Sequence, residues 1–173
     1  MSYYHGIKTL ERATAIKPAV NTEGCLPVIV GTAPINLATD PVEPNTPVLC
    51  RQMAEAVAAF GYKPDFDKYN IAEAIYTFFS LYGVSPVIFI NVLDKTKHKT
   101  SVSGAQITVT DHMAIIKEDV LLDTLTVKSA DASVKLQVDT DYTAAFDDNG
   151  TVIITLVANS SHYGDTSITV AYD

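Results

Sequence analysis

Tryptophan is absent from the chain, and arginine occurs only at Arg12 and Arg51. The formal net charge is −8, from 12 basic and 20 acidic side chains. Proteins that bind nucleic acids need clustered lysine and arginine to neutralise phosphates. The composition therefore argues against a nucleic-acid partner, and the acidic excess equally disfavours binding to a membrane surface.

Cysteine is scarce, and long apolar runs are missing. Cys25 and Cys50 each lie beside a short apolar run, where a thiol is usually buried and unreactive, and two cysteines do not make a disulfide framework. No stretch approaches the roughly 20 apolar residues of a membrane span. The first six residues lack a basic segment followed by an apolar core, so they do not resemble a secretory signal. We expect a soluble protein that is made in a cytoplasm.

Motifs for nucleotide binding and catalysis are also missing. The turn Gly-Thr-Ala-Pro at 31–34 lacks the further glycines and the Lys-Ser/Thr pair of a phosphate loop, and it leads into a proline-rich segment instead of a helix. Asp111 and His112 could form two thirds of a catalytic triad, but no G-x-S-x-G elbow supplies a nucleophile. We predict that the chain is not an enzyme and has no catalytic or cofactor-binding residues.

Metal-ligand spacings are absent as well. The four histidines are scattered, at His5, His98, His112 and His162. An acidic group is formed by Asp139, Asp141, Asp147 and Asp148. It lacks the glycine-punctuated twelve-residue loop with a terminal glutamate that binds calcium, and Asp147 to Gly150 is explained by a hairpin turn. We predict no metal site.

Two unlike halves meet at the lysine-rich segment 95–99. Before it, aliphatic runs at 26–30 and 87–93 predict buried strands, and a short strand is predicted at 46–50. Residues 51–60 and 70–81 have apolar side chains at helical spacing and are each followed by a glycine, which predicts two helices whose apolar stripes are core. This order predicts an α/β (or α+β) N-terminal part.

After the lysine segment the sequence alternates valine, isoleucine and threonine with polar residues. Strands are predicted at 107–110, 123–128, 133–138, 142–146, 151–156 and 167–172. Asn149-Gly150 predicts a tight hairpin turn between two of them, because a glycine accepts a positive φ. The second half is therefore predicted to be a small antiparallel all-β, sandwich-like domain.

The predicted organisation has four parts. Residues 1–22 are too polar for a core strand and are expected to be an N-terminal arm, either an edge strand of its own domain or a strand that pairs with a neighbouring subunit. Residues 23–94 are predicted to be the α/β domain, 95–100 an exposed linker, and 101–173 the β domain. The first 94 residues carry a net charge of −3, and the rest carry −5.

Several motifs occur in an order that resembles contractile bacteriophage tail sheath proteins and those of phage-tail-like particles. They are YYHGIK at 3–8, VIVGTAP at 28–34, NTPVL at 45–49, and IKEDVLLDTLTVK at 116–128 with DY at 141–142 and FDDNGTV at 146–152. Each motif is structural, and it is their order that carries the resemblance. Sheath subunits of this family are usually longer, so the resemblance implies an N-terminal fragment that lacks the C-terminal region. It also implies that 23–94 is a partial α/β sheath domain and that 101–173 is a β domain inserted into it.

The resemblance implies a structural subunit that polymerises around an inner tail tube and contracts to drive that tube through the host cell envelope. The implied partners are further copies of the subunit, the tube protein and the baseplate, without cofactor, nucleic acid or membrane. The implied location is the virion tail sheath, and the host cytoplasm during assembly. Two alternatives stay open from the residues alone: a surface Ig-like binding module, and a small α/β enzyme.

Overall fold

The computed structural model describes residues 25–173, so the predicted arm at 1–22 lies outside the described residues. The first half contains β1 (Val28–Gly31), a 3-10 turn (Ile35–Leu37), β2 (Pro47–Cys50), α1 (Met53–Phe60), α2 (Asn70–Ile75) and β3 (Val87–Asn91). A π-helical segment, Tyr76–Leu81, continues α2. The elements follow the predicted order of two strands, two helices and a strand.

A small mixed sheet organises this half. Its order is β1-β3-β2, with β1 parallel to β3 and β2 antiparallel to it. The two helices pack on one face, over a core that includes Phe60, Ile71, Ile75 and Phe89. α1 ends where predicted, because Gly61 (φ 73°) donates its N–H to the carbonyl of Val57 at 2.8 Å. The half is thus a three-stranded sheet with one layer of short helices.

The opposite face of this sheet is apolar and uncovered by the described residues. The register places Val28, Ile88 and Leu49 in one row and Val30, Ile90 and Pro47 in the next. We call these six residues the outer face. Val28 is 52% exposed and Val30 is 58% exposed. The prediction that β1 is a buried strand is therefore wrong for this face, and β3 is central but only half-buried there, because both helices lie on the other side.

The second half contains six strands. They are β4 (Val102–Thr108), β5 (Met113–Ile116), β6 (Thr126–Ser129), β7 (Tyr142–Phe146), β8 (Val152–Leu156) and β9 (Ser167–Tyr172), with a 3-10 turn at Leu122–Thr124. Two antiparallel sheets result, with orders β4-β9-β6 and β5-β8-β7. Residues from both sheets share one core. The predicted antiparallel, sandwich-like half is confirmed.

The strand predicted at 133–138 is wrong. The Asp131 carboxylate accepts hydrogen bonds from Ser133, and Ala132 adopts a positive φ of 59°, so the chain turns tightly after β6. The segment then touches β6 only at isolated points, where Leu136 donates its N–H to the carbonyl of Val127 at 3.0 Å. Local side-chain hydrogen bonds therefore prevail over the alternating pattern.

β5 was not predicted. It buries Ala114 and Ile116 and exposes Met113 and Ile115, so all four residues are apolar. Alternation between apolar and polar residues is the signal of a half-buried strand, and β5 does not show it.

The predicted hairpin between β7 and β8 is present. Asp147 accepts the N–H of Gly150 at 3.0 Å through its carbonyl, and its own N–H donates to Thr151 at 2.9 Å. Gly150 takes a φ of 73°. The turn therefore needs its glycine.

Candidate functional site: the junction between the two halves

The Gly-Thr-Ala-Pro turn after β1 holds the start of α2. Asn70 accepts the N–H of Thr32 at 2.7 Å, and the Thr32 hydroxyl donates to the carbonyl of Lys68 at 2.7 Å. A Cβ on Gly31 would lie 2.0 Å from the Asn70 Oδ1 atom. Glycine is therefore required because the amide of Asn70 occupies the space of a side chain. The motif has a structural explanation and no ligand is needed for it.

The Asn-Thr-Pro motif before β2 also has a backbone explanation. Asn45 has a φ of 62°, in the left-handed region that asparagine tolerates better than most residues. Its N–H donates to the carbonyl of Asn91 at 2.7 Å, at the end of β3. Asn91 is buried, and its side chain accepts the N–H of Ala33 at 3.2 Å and that of Leu93 at 3.0 Å. These bonds join the turns at one end of the first sheet.

Asp111 and His112, which were considered as part of a catalytic triad, lie on the surface of the second half. Asp111 and His112 are both exposed, in a turn where both have positive φ angles. The His112 ring stacks on Tyr163 with centroids 3.7 Å apart and an angle of 11° between the planes, and its Nδ1 lies 2.9 Å from the Tyr163 carbonyl oxygen. His112 therefore connects two loops.

Two members of the acidic group that was considered as a calcium site accept hydrogen bonds from neighbouring turns and loops. Asp141 accepts from Ser160 at 2.6 Å and from the N–H of Gln137 at 2.8 Å. Asp147 accepts from the N–H groups of Asn149 and Thr151 at 2.9 and 2.7 Å. These bonds lower the pKa of both carboxyls. Within residues 25–173, no three His, Cys, Asp or Glu side chains are grouped as metal ligands.

Both cysteines are free thiols. Cys50 is buried, and burial together with the nearby Glu55 raises its pKa to about 11. Cys25 is exposed, contrary to the expectation of a buried thiol, because the chain before β1 lies at the surface. In the described part of the chain, no helix has the length and apolar character of a membrane span.

A group of charged side chains lies where the two halves meet. Asp119, in the loop after β5, accepts a hydrogen bond from Lys63 at 2.6 Å, from Tyr69 at 3.0 Å and from Lys68 at 3.3 Å. We call these four residues the Asp119 cluster. The three donors belong to the loop before α2, so the cluster joins the first half to the second.

Burial sets the electrostatics of the cluster. The Lys63 and Asp119 side chains are only 16% and 20% exposed, whereas Lys68 is 62% exposed. Burial raises the pKa of Asp119, but the bonds from Lys63 and Tyr69 and the lysine charge outweigh it and leave the pKa below its ordinary value. Burial and the Asp119 charge raise the pKa of Tyr69. Asp119 is thus a carboxylate, and Lys63 and Tyr69 donate hydrogen bonds to it.

A cleft of about 560 Å³ opens beside the cluster. Its wall includes Lys68 and Asp119, and also His98 and Lys99 of the lysine-rich segment. Lys99 is bound to the Asp173 carboxylate at 2.6 Å, and Ser101 also donates to that carboxylate. The cleft therefore lies between the halves, and its walls carry both positively and negatively charged side chains.

Sequence reasoning did not single out the Asp119 cluster. Asp119 is 56 residues from Lys63 and 50 residues from Tyr69, so no local spacing reports their contact. The one signal in the sequence is that the first half contains few lysines. This signal is too weak to identify which lysine pairs with which carboxylate.

Comparison with known proteins addresses the resemblance. A tail sheath protein of the Burkholderia phage BcepMu is 34% identical to this chain over 107 residues, which are 62% of the chain. The chain is related to a phage tail sheath protein. The resemblance drawn from the motif order is thereby confirmed. The match spans about 20% of the length of that sheath protein, and no protein-family model matches the chain.

Proposed function

We propose that this chain is part of a structural subunit of a contractile phage tail sheath. The observation that carries the proposal is the 34% identity to the BcepMu tail sheath protein over 107 residues. At that identity and length, the two sequences share a fold, and a shared structural role follows more readily than a new one. The location that goes with this role is the virion tail, preceded by assembly in the host cytoplasm.

The exposed outer face of the first sheet supports a role in assembly. Its six residues are all apolar and carry no charge. A contiguous apolar patch of this kind on a protein surface marks a site of interaction more often than a solvated surface. A heterologous contact repeated between identical subunits produces a helical polymer, which is the architecture of a sheath.

The finer parts of the role are proposals that follow from the family. Copies of the subunit would surround an inner tube, attach to a baseplate and shorten when triggered, so that the tube crosses the host envelope. The arm at 1–22 would link neighbouring subunits. No cofactor or catalytic group is needed, because the energy of contraction would be stored in the assembled lattice.

The two halves are proposed to be separate domains, bounded at 23–94 and 101–173. Their cores have no residue in common: one is built from Ala33 to Phe89, and the other from Val109 to Tyr172. The segment at 95–100 is exposed and is arranged around Asp94, which accepts the N–H of Thr96 at 2.9 Å and pairs with Lys97 at 3.2 Å. A short linker with a local turn is consistent with two domains.

Antibody labelling of tail particles tests the function. An antibody raised against residues 101–173 should decorate contractile tails along their length, in both the extended and the contracted state, with pre-immune antibody as the control. Labelling confined to fibres, baseplate or a bacterial surface would contradict a sheath role. A bacterial surface signal would favour the Ig-like binding module instead.

A further inference from the structure

The contact between the halves depends on a few polar groups. Beyond the Asp119 cluster, Asn36 donates to the carbonyl of Val120 at 3.4 Å, which is close to the limit of a hydrogen bond. Leu37 lies against Gly150 of the β7–β8 turn. No residue of either core cluster takes part in these two contacts except Val120, through its backbone carbonyl.

The Asp119 cluster differs from ordinary surface ion pairs in burial. Exposed pairs contribute at most about 1 kcal/mol, because water and salt screen them. The Lys63 and Asp119 side chains are only 16% and 20% exposed, and their Nζ and Oδ1 atoms are 2.6 Å apart. Removing one partner from a buried pair leaves the other charge without compensation, which costs far more than the loss of an exposed pair.

The linker is where one half could rotate relative to the other. The Lys99 ammonium and the Ser101 hydroxyl bind Asp173, so the end of the linker is attached to β9 and moves with the β domain. The beginning of the linker is attached to the first sheet through β3. The exposed residues 95–98 lie between these two attachments, in the surface turn that Asp94 holds. A rotation of one half relative to the other has to take place in this turn.

We propose that the Asp119 cluster is an electrostatic latch that holds the β domain in one orientation relative to the first half. While the hydrogen bonds of the cluster are intact, they fix the orientation of the β domain, and the linker does not have to. When the charge of Asp119 or Lys63 is removed, the β domain turns about residues 95–98 and a second orientation becomes populated. Both cores stay folded, because Asp119 and Lys63 belong to neither of them. The latch does not depend on the proposed sheath function.

The test measures the distance between two spin labels by pulsed electron paramagnetic resonance. Labels are attached at Tyr82→Cys and Val138→Cys, which are 74% and 59% exposed and lie in different halves. Cys25→Ser removes the exposed native thiol, and Cys50 is buried and remains unlabelled. The protein with an intact cluster should give one narrow distance distribution.

Four variants grade the latch. Asp119→Asn and Lys63→Met should each add a second population, and Lys68→Met should have a smaller effect because Lys68 is largely exposed. Asp131→Asn is the matched control: that carboxylate is bound within the β domain by Ser129 and Ser133, so its loss should leave the distance unchanged. Dispersed amide NMR signals verify that each variant is folded, and Lys63→Met decides the result if Asp119→Asn does not fold.

An unchanged distribution in both Asp119→Asn and Lys63→Met would overturn the latch, since packing and the linker would then fix the orientation. A broad distribution before any change in the cluster would overturn it too, as would an equal effect of Asp131→Asn. None of these results would bear on antibody labelling of tails, so the latch and the sheath function can fail separately.

Discussion

The two halves differ in how they cover the apolar faces of their β-sheets. The second half packs its two sheets against each other, whereas the first half covers only one face of its single sheet. In the β domain, two three-stranded sheets bury Ile116, Ile154 and Ile168 between them. In the first half, helices cover one face of the single sheet, and the outer face has Val30 at 58% exposed. The second half thus covers the inner faces of its sheets with its own residues, whereas the described residues leave the outer face of the first half uncovered.

The largest expected effect separates the two cores. Phe89→Ala removes a fully buried ring that contacts Phe60 and Phe79, and we expect a loss of about 3–5 kcal/mol in the free energy of unfolding of the first half. The β domain should keep its dispersed NMR signals, because its core is separate. Simultaneous loss of both sets of signals would show that the halves are one cooperative unit.

The next effect compares a buried and an exposed isoleucine of the β domain. Ile154 on β8 is fully buried, whereas Ile115 on β5 is 52% exposed. Ile154→Ala should lower the free energy of unfolding by about 2–5 kcal/mol. Ile115→Ala should change it by about 0.5 kcal/mol or less. Urea denaturation followed by circular dichroism measures both, and similar losses would contradict the described packing of the sandwich.

A smaller effect concerns the glycine of the β7–β8 hairpin. Gly150→Ala would place a Cβ at a φ of 73° and 2.8 Å from Leu37, and we expect a cost of about 1–2 kcal/mol from the backbone conformation, increased by the contact. Gly104 has a φ of 69° with open space around it, so Gly104→Ala measures the backbone cost alone. Gly164→Ala, with neither constraint, is the control and should be nearly neutral. Equal losses in Gly150→Ala and Gly104→Ala would contradict the contact with Leu37, and losses no larger than in Gly164→Ala would contradict the backbone cost.

The smallest effect is a pH dependence that reaches across the junction. The folded pKa of Asp119 is lowered, so its contribution to stability is fully present above the ordinary carboxyl value of 3.8. That contribution is lost as the pH falls from 3.8 through the lower folded value. Asp119→Asn should therefore weaken the acid dependence of the melting temperature in this range. Identical slopes for the two proteins would contradict the lowered pKa.

Sequence patterns were sufficient to predict an element where a single helical or strand periodicity of apolar residues dominates a segment. Both helices, β3 and the β7–β8 hairpin follow from apolar spacing and from Gly61 and Gly150. They were insufficient where tertiary contacts decide: β5 is apolar on both faces, and the Asp131 turn replaces the strand predicted at 133–138. The exposure of β1 could not be predicted, because an aliphatic run has the same sequence whether or not another layer covers it.

The Asp119 cluster belongs to the same class of unpredictable features. Its partners come from loops, and a loop has no period that reports which residue it meets. The motifs of the resemblance also have causes in the structure: Gly31 makes room for Asn70, which is distant in sequence, and Asn45 adopts a positive φ. Motif order could therefore identify the relative, although it could not locate the junction.

Electron microscopy of the subunit, expressed alone at its natural length, tests the central claim most directly. If the protein is a sheath subunit whose first half is completed by assembly, the micrographs should show long, wide, hollow tubes with a helical repeat. A monodisperse monomer that forms no tubes at any salt or protein concentration would contradict the account.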